Sequence, residues 1–248
     1  MDATLFDHRM TIEVNYYNNL RDGILTSLDY SVPYATGVAT ASTYANYNTY
    51  RYTGVEASVN FASKLGALRY SVGGWGVLQD SRILKYDEPD YRFDYQSRVG
   101  KPVDAFWGLT YLGKFASDAE TGVVPQLFDE TLAAGDLKYK DLNGDGKVDD
   151  NDRSMVGRTS PRLIYALNVK LNYKNFDLTM IADGRAFVDM PMTNSYFRNG
   201  WGDNVYSAFV RDNIGGHYPR LTYYQVSNNF QNSDFWLTKG GYFKLQNV

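Results

Sequence analysis

The sequence lacks cysteine and is poor in histidine, with only His8 and His217 in 248 residues. Without cysteine the chain forms neither a disulfide framework nor a thiolate metal site, and two histidines offer few ligands for zinc. No apolar run approaches the roughly 18 residues that a membrane-spanning helix requires, which excludes such a helix. The amino-terminal residues also lack the basic start and apolar core of a secretory signal.

The sequence also has no large net charge of either sign. The formal net charge is −3, and lysines and arginines do not cluster among aromatic residues in the way that follows a phosphate backbone, so nucleic acid is not an expected partner. Aromatic residues are abundant, with 22 tyrosines, 13 phenylalanines and 4 tryptophans beside 22 glycines and 7 prolines. This balance favours strands joined by turns and predicts an all-β fold, in one large domain or two ordinary ones.

The clearest strand pattern is LIYALNVKLNYKNFDLTMIADG, from Leu163 to Gly184. Apolar and polar residues alternate, and a two-residue turn at Lys174 and Asn175 would fold the stretch into a hairpin. The predicted apolar pairs are Tyr173 with Phe176, Leu171 with Leu178, Val169 with Met180 and Leu167 with Ala182. The predicted pairs on the water-facing side are Asn172 with Asp177, Lys170 with Thr179, Asn168 with Ile181 and Ala166 with Asp183.

The same alternation occurs upstream in three stretches, RMTIEVNYY from Arg9, GVEASVNF from Gly54 and ALRYSVGGWGVL from Ala67. A short turn around residues 64–66 joins the last two stretches into a second hairpin. Such strands are typical of a transmembrane barrel, whose apolar faces meet lipid, and equally of a soluble sandwich, whose apolar faces form its core. Periodicity therefore leaves both architectures open.

The connections between predicted strands fall into two lengths. The tight turns are at residues 7–9, 64–66 and 174–175, and the long polar-aromatic connections are at about 18–48, 80–102 and 191–234. Compact soluble domains rarely contain several such loops, whereas transmembrane barrels have short turns at one end and long loops at the other. Aromatic residues near strand ends are typical of interfacial girdles: Tyr16, Tyr17, Tyr50, Tyr52, Tyr173, Phe176, Tyr242 and Phe243.

The stretch DLNGDGKVDDND, residues 141–152, has the spacing of an EF-hand calcium loop. The predicted Ca²⁺ ligands are the side chains of Asp141, Asn143, Asp145, Asp149 and Asp152 and the carbonyl of Lys147. Aspartate rather than glutamate at the last position shortens the reach to the ion and weakens the site. The flanking residues do not read as helices, so the predicted role of Ca²⁺ is to brace a loop. A turn without an ion is the alternative interpretation.

No catalytic constellation is found in the sequence, and we predict that the protein is not an enzyme. His8 and His217 have no serine or cysteine nucleophile motif beside them. Aromatic residues of the long loops could stack on sugars, although packing within the loops is the simpler interpretation: Trp107, Tyr111, Phe197, Trp201, Tyr206, Tyr223 and Tyr224. No substrate-binding residue is assigned.

Several segments together resemble the late barrel region of SusC/RagA-type TonB-dependent outer-membrane transporters. They are DLKYKDLNGDGKVDDNDRSMVG, SPRLIYALNVKLNYKNFDLTM, VNYYNNLRDGIL, YTGVEASVNF, YPRLT and SDFWLTKGGYFKLQNV. The resemblance covers most of the chain and implies a barrel of about 22 strands with an internal plug. It also implies nutrient import across the bacterial outer membrane, of a glycan or an oligopeptide, with a SusD-like surface lipoprotein and the TonB complex as partners.

On this interpretation residues 1–248 are a partial barrel domain, truncated at both ends, with the calcium loop at 141–152 within it. At about ten residues per strand the chain would supply six to eight strands, in contact with outer-membrane lipid. The alternative hypothesis is a secreted calcium-binding β-sandwich, either an adhesin or a carbohydrate-binding module. A glycan-degrading β enzyme is a third hypothesis, but no acid pair at a defensible separation supports it.

Overall fold

A computed structural model of the protein describes residues 1–30, 44–123, 125–128, 131–194, 196–198, 207–213, 216–222 and 226–248. These residues form thirteen strands, one short α-helix and four short 3-10 helices, which confirms the all-β prediction. The strands are β1 (Asp2–Leu5), β2 (Met10–Ser27), β3 (Tyr44–Leu65), β4 (Leu68–Lys85), β5 (Ala105–Gly108), β6 (Tyr111–Lys114), β7 (Leu137–Tyr139), β8 (Ser154–Arg158), β9 (Leu163–Tyr173), β10 (Phe176–Ala186), β11 (Asp189–Pro191), β12 (Leu237–Lys239) and β13 (Tyr242–Asn247). The helix α1 is Ala208–Asn213, and the 3-10 helices are Asp118–Gly122, Asp150–Asp152, Ser227–Phe230 and Asp234–Trp236.

Seven strands form one antiparallel sheet in the order β1, β2, β3, β4, β9, β10, β13. This number lies within the predicted six to eight. Within the described residues the sheet does not close on itself, because β1 and β13 are its two outer strands. None of the described helices is long and apolar enough to cross a membrane.

Both predicted hairpins are confirmed, including the register of the first. All eight predicted pairs of β9 and β10 are found, from Tyr173 with Phe176 to Ala166 with Asp183. Lys174 takes a positive φ of 52° in the turn between them. In the second hairpin Leu65 pairs with Leu68, and Gly66 supplies the left-handed residue of the turn with a φ of 59°.

Three strands are longer than the sequence pattern indicated, which corrects the predicted loop boundaries. β2, β3 and β4 contain 18, 22 and 18 residues, so parts of the stretches predicted as loops at 18–48 and 80–102 are strands. In β2 beyond Tyr17, and in the facing part of β3, apolar and polar residues no longer alternate. The backbone hydrogen bonds continue there through pairs such as Asn18 with Thr53 and Arg21 with Tyr50. Backbone hydrogen bonding sustains the strands there without an apolar face.

Connection lengths are segregated between the two ends of the sheet, as predicted. The turns from β1 to β2, β3 to β4 and β9 to β10 are tight and lie at one end. The opposite end carries two long connections that the structure describes in part, residues 86–162 between β4 and β9 and residues 187–241 between β10 and β13. The first contains the pairs β5 with β8 and β6 with β7, and the second contains α1 and the pair β11 with β12. We call these segments the first and the second connection.

The two connections fold together around their own buried side chains. One cluster comprises Leu109, Leu137, Tyr139 and Val148 of the first connection, and Phe235 of the second packs against it. The other comprises Val210, Tyr218 and Trp236 of the second connection. Backbone hydrogen bonds join them where Leu109 donates to Asn232 and Asp234 donates to Leu109. The loop end of the sheet therefore carries a packed assembly, which the sequence analysis did not predict.

A buried carboxylate ties the two connections together. Asp136 is fully buried, and its Oδ1 accepts hydrogen bonds from Arg220 Nε at 3.2 Å and Asn229 Nδ2 at 2.8 Å. Its Oδ2 accepts from Arg220 Nη2 at 2.8 Å and the Ala133 amide at 2.9 Å. Four donors thus satisfy both carboxylate oxygens. Burying this charge without such partners would be strongly unfavourable.

A glycine on the polar face of the sheet makes room for two asparagines. Gly73 in β4 pairs with Asn60 of β3 and Asn168 of β9. The amides of both asparagines occupy the space that a Cβ at Gly73 would need. Any larger residue at this position would clash with them.

Candidate functional site

One face of the seven-stranded sheet is apolar along rows that cross six or all seven of its strands. A representative row runs Ala3, Ile12, Val59, Gly74, Leu167, Ala182 and Leu245, and its neighbour runs Leu5, Met10, Phe61, Val72, Val169 and Met180. None of the residues in these rows is buried, and several are exposed, with Leu167 at 47% and Val72 at 46%. A soluble sandwich would bury these side chains under a second sheet. No second sheet covers them among the described residues, so the sandwich hypothesis is not supported.

Only half of the residues predicted to form the aromatic girdle lie on this apolar face. Tyr16, Tyr173, Phe176 and Phe243 share the register of the apolar rows, and Phe176 beside the tight turn is 79% exposed. Tyr17, Tyr50, Tyr52 and Tyr242 lie on the opposite face. Adjacent residues of a strand point to opposite faces, so neighbouring aromatic residues such as Tyr16 and Tyr17 cannot both belong to one girdle.

The opposite face is polar and carries an exposed indole among acidic side chains. Trp75 lies in the cross-strand row of Ser58 and Glu13, and Glu56 lies in the next row. These residues border a shallow recess of about 370 Å³. Towards β13, Asp183 accepts a hydrogen bond from the Tyr242 hydroxyl. This face has the polar character expected of the inside of a wide barrel.

The predicted calcium loop has its oxygen atoms directed at its own backbone. Asp141 accepts from the amides of Gly144 at 2.6 Å and Gly146 at 2.9 Å, and both glycines have positive φ. Asn143 Oδ1 accepts from the Asp145 amide at 2.8 Å, and Asp145 Oδ1 accepts from the Lys147 amide at 3.1 Å. These bonds curl the chain into a tight loop.

The end of the loop is its most buried part. Asp152 is fully buried, and its carboxylate accepts from the amides of Leu142, Asn143 and Asp149. Asp149 also caps the 3-10 helix Asp150–Asp152. Val148, which is fully buried, exchanges backbone hydrogen bonds with residues 125 and 127. The loop is thus anchored in the first connection.

Charge within the loop is partly compensated by a lysine. Lys147 Nζ lies 2.8 Å from Asp149 and 4.0 Å from Asp145. The hydrogen bond from Lys147 lowers the pKa of Asp149. In the described part of the chain no group of three or more His, Cys, Asp or Glu side chains has the arrangement of a metal site. The donor set, which is oxygen only, still has the chemistry that Ca²⁺ prefers.

A tyrosine of the first connection lies against the predicted calcium loop. The Tyr95 hydroxyl donates to the Asn151 carbonyl at 2.9 Å, and Gln96 Nε2 donates to the same oxygen at 3.0 Å. Burial raises the pKa of Tyr95, and the charges of Asp152, Asp141, Asp145 and Asp149 raise it further. Tyr95 is thus hydrogen-bonded to the backbone of the loop at Asn151.

An arginine fixes the first connection to the sheet at the edge of a polar cavity of about 390 Å³. Arg158 Nη1 donates to Asp80 at 2.6 Å, and its Nη2 and Nε donate to the two oxygens of Asp104 at 2.9 and 3.2 Å. Ser81 of β4 also donates to Asp104. Burial alone would raise the pKa of Asp104, but the hydrogen bonds and charge of Arg158 outweigh it, so the pKa lies below its ordinary value.

This pKa shift predicts an acid-dependent loosening of the first connection. Because the folded pKa of Asp104 is depressed, its contribution is complete above the unfolded value of about 3.9 and is lost as the pH falls through the folded value. Hydrogen bonds to charged groups contribute about 1.5–3 kcal/mol, so amide exchange at residues 101–105 should accelerate at least about tenfold on acidification. Mass spectrometry, corrected for the intrinsic pH dependence of exchange, measures this change. Asp104→Asn should exchange fast already at neutral pH, and an unaltered acid transition in this variant would contradict the assignment.

The loop aromatics considered for sugar stacking are engaged in packing where the structure describes them. Trp107 has the Arg98 guanidinium 5.2 Å from its ring centre, and Tyr111 packs edge-on against Phe235 at 4.9 Å. Phe197 packs edge-on against Phe209 at 5.0 Å. The remaining candidates, Trp201, Tyr206, Tyr223 and Tyr224, lie outside the described residues.

The two histidines lie at opposite ends of the sheet. His8 is in the tight turn between β1 and β2 and has a φ of 66°. His217 is exposed in the second connection, beside an apolar cavity. They cannot act together on one substrate.

No family profile matches the chain, but two curated proteins of Formosa agariphila are similar to it. TonB-dependent receptor P26 is 28% identical over 215 residues, and TonB-dependent receptor P3 is 25% identical over 193 residues. The alignments cover 81% and 73% of this chain but only 21% and 19% of those proteins. The chain therefore spans about a fifth of the length of the curated relatives it matches.

Solved structures with the same fold include the RagAB peptide importer in two states. The open-open state matches with a TM-score of 0.69 at 13% identity, and the closed-closed state with 0.64 at 16%. Each covers 99% of this chain, which in turn covers 26% and 27% of the solved chains. At sequence identities this low, the similarity shows only that the folds are alike. The sequence is thus similar over most of its length to TonB-dependent receptors, and the fold over nearly all of it to the RagAB importer, which confirms the predicted resemblance.

Proposed function

We propose that the protein containing this chain imports a nutrient, an oligopeptide or a glycan, across the bacterial outer membrane with energy from the TonB complex. The observation that carries the proposal is the sheet with one exposed apolar face and one polar face. In a barrel these faces would meet lipid and an aqueous interior. The match to TonB-dependent receptors supports the same function.

The proposed partner is a SusD-like surface lipoprotein seated on the loop end of the sheet. The solved structures that share this fold include the RagAB peptide importer. The packed assembly of the first and second connections gives this end a preformed surface, whereas the tight-turn end offers little. Binding and passage, rather than covalent chemistry, are the proposed activity.

Uptake by cells tests this function. A strain lacking the full-length receptor gene should lose uptake of fluorescent oligopeptides or oligosaccharides, and the intact gene should restore it. The receptor should fractionate with the outer membrane and show a heat-dependent shift on a gel. Recovery of the receptor in the soluble fraction, or unchanged uptake of both substrate classes in its absence, would reject the proposal.

A second proposal concerns the loop at residues 141–152, which we infer holds one Ca²⁺. The ion would be held by Asp141, Asn143, Asp145, Asp149 and Asp152 and by the carbonyl of Lys147. Its supports are the EF-hand spacing, the curled loop with glycines at positive φ, and the oxygen-only donor set. When bound, Ca²⁺ would offset the mutual repulsion of the carboxylates and stabilise the first connection.

Terbium luminescence tests this site because Tyr95 lies against the loop. Tb³⁺ added to the receptor should luminesce on excitation of tyrosine, and Ca²⁺ should displace it with an affinity of about 10⁻⁴–10⁻³ M, as in extracellular sites. Asp145→Asn should weaken Ca²⁺ binding by about tenfold or more, because carboxylate count sets affinity. Asp150→Asn is the matched control, since this neighbouring aspartate is not a proposed ligand.

Two further observations would decide the calcium proposal. Tyr95→Phe should abolish most of the luminescence and leave Ca²⁺-dependent resistance of the first connection to protease in place. Equal Ca²⁺ affinity in Asp145→Asn and the wild type would show that the loop is an ordinary turn.

A further inference from the structure

The packed assembly at the loop end contains an apolar cavity of about 360 Å³. Its floor is Trp236, which is almost fully buried, and its walls include Met192, Phe209, Tyr218 and Phe235. Among the residues that the structure describes, no carboxylate, ammonium or guanidinium group lines it. This volume lies near the lower end of the roughly 300–1,000 Å³ typical of ligand sites. The cavity therefore suits a single side chain rather than several sugar rings.

The aromatic lining of the cavity is held in place by contacts of Trp236 with its neighbours. The Trp236 indole N–H donates to the Asn229 carbonyl at 2.9 Å, and its ring packs edge-on against Tyr218 and Phe235 with centroids 5.9 and 4.9 Å apart. The guanidinium of Arg198 lies 5.1 Å from the same ring. A preformed apolar cavity needs little reorganisation when a ligand enters.

The mouth of the cavity is a short turn held by a lysine of the first connection. Lys114 Nζ donates to the carbonyls of Gly216 and Tyr218, both at 2.6 Å, and burial lowers the pKa of this lysine. His217, between them, is exposed at the rim. The two connections thus jointly position the entrance of the cavity. The imidazole of His217 is a hydrogen-bond donor or acceptor beside the apolar interior.

We propose that this cavity binds one apolar side chain, aromatic or branched aliphatic, of a peptide. The inference rests on the import function proposed above and narrows its substrate class. Burying an apolar side chain against these rings is favourable. A sugar would instead lose the hydration of its hydroxyls, because the lining surface is mostly apolar and Asn213 already donates its amide to the Phe209 carbonyl at 2.7 Å.

Peptide binding to the full-length receptor, purified in detergent, tests the proposal. The probes are Ac-Gly-Gly-Phe-Gly-NH₂, Ac-Gly-Gly-Ala-Gly-NH₂ and maltotetraose, with dissociation constants from calorimetry. The phenylalanine peptide should bind about tenfold to a hundredfold more tightly than the alanine peptide, as expected for burial of one large side chain. His217→Trp, which places a bulky ring at the mouth, should remove this preference. His217→Ala leaves the mouth open and should retain it.

Each outcome of this experiment has a definite meaning. Equal binding of the two peptides by the wild type, or an undiminished preference in His217→Trp, would overturn the cavity assignment. Binding of maltotetraose without either peptide would overturn it in favour of a glycan. Unchanged affinity of His217→Trp for the alanine peptide shows that the variant is folded. Uptake by cells is measured separately, so a wild-type receptor that binds peptides but imports none would fail the proposed function and leave the cavity assignment standing.

Discussion

Replacing Leu167 by arginine is expected to lower the free energy of unfolding in phospholipid vesicles by about 2–4 kcal/mol, the cost of a cation on the lipid face near the membrane midplane. Leu167 lies near the middle of β9, is 47% exposed and belongs to an apolar row that crosses the whole sheet. In the proposed barrel this exposure is to hydrocarbon, which cannot solvate a guanidinium. Urea titration of the full-length receptor in vesicles measures the difference.

The matched control is Asn168→Arg, at the next residue of the same strand. Its side chain points to the opposite, polar face. This face would be aqueous, but the Asn168 amide also fits against Gly73, so a loss of at most about 1 kcal/mol is expected from packing. A larger loss at Asn168 than at Leu167 would mean that the apolar face is not the one in lipid.

Replacing Asp136 by asparagine is expected to destabilise the packed assembly at the loop end by about 3–5 kcal/mol, the range for breaking a buried ion pair. Each carboxylate oxygen of Asp136 accepts two hydrogen bonds. In asparagine one oxygen becomes an NH₂ group, and in either orientation this group faces two donors. Faster amide exchange in both connections, with little change in the seven-stranded sheet, would show the effect.

The control for this substitution is Asp150→Asn on the surface of the same connection. Asp150 pairs with Arg153 at 2.7 Å, but its side chain is 81% exposed. Exposed pairs contribute about 0.2–1 kcal/mol, so exchange should barely change. If Asp136→Asn behaved like this control, the two connections would not depend on the buried carboxylate.

The hairpin of β9 and β10 was predictable in detail because its determinants are local. Alternation of apolar residues fixes the two faces, and a two-residue turn fixes every pair, so one assumption at Lys174 and Asn175 set the whole register. The segregation of short and long connections was predictable for the same reason, since turn residues are read directly from the chain.

The packed assembly could not be predicted in this way. Asp136 and Arg220 are 84 residues apart in sequence, and neither lies in a periodic stretch. The outer parts of β2, β3 and β4 were missed because polar pairs sustain them through backbone bonds that leave no apolar pattern. The positions of the side chains at residues 141–152 follow from local turns, but the burial of Asp152 depends on its tertiary neighbours.

Gly73 has a consequence for how the strands find their alignment. Two amide side chains from neighbouring strands converge on one gap in β4, and the flanking Ser71 and Trp75 on this face leave no comparable space. If β3 or β9 shifted along β4 by two residues, keeping its faces correct, an asparagine would meet a side chain instead of a hollow. Hydrophobic alternation does not disfavour a shift by two residues, because the apolar faces stay aligned. The fit of the two asparagine side chains at Gly73 does disfavour it.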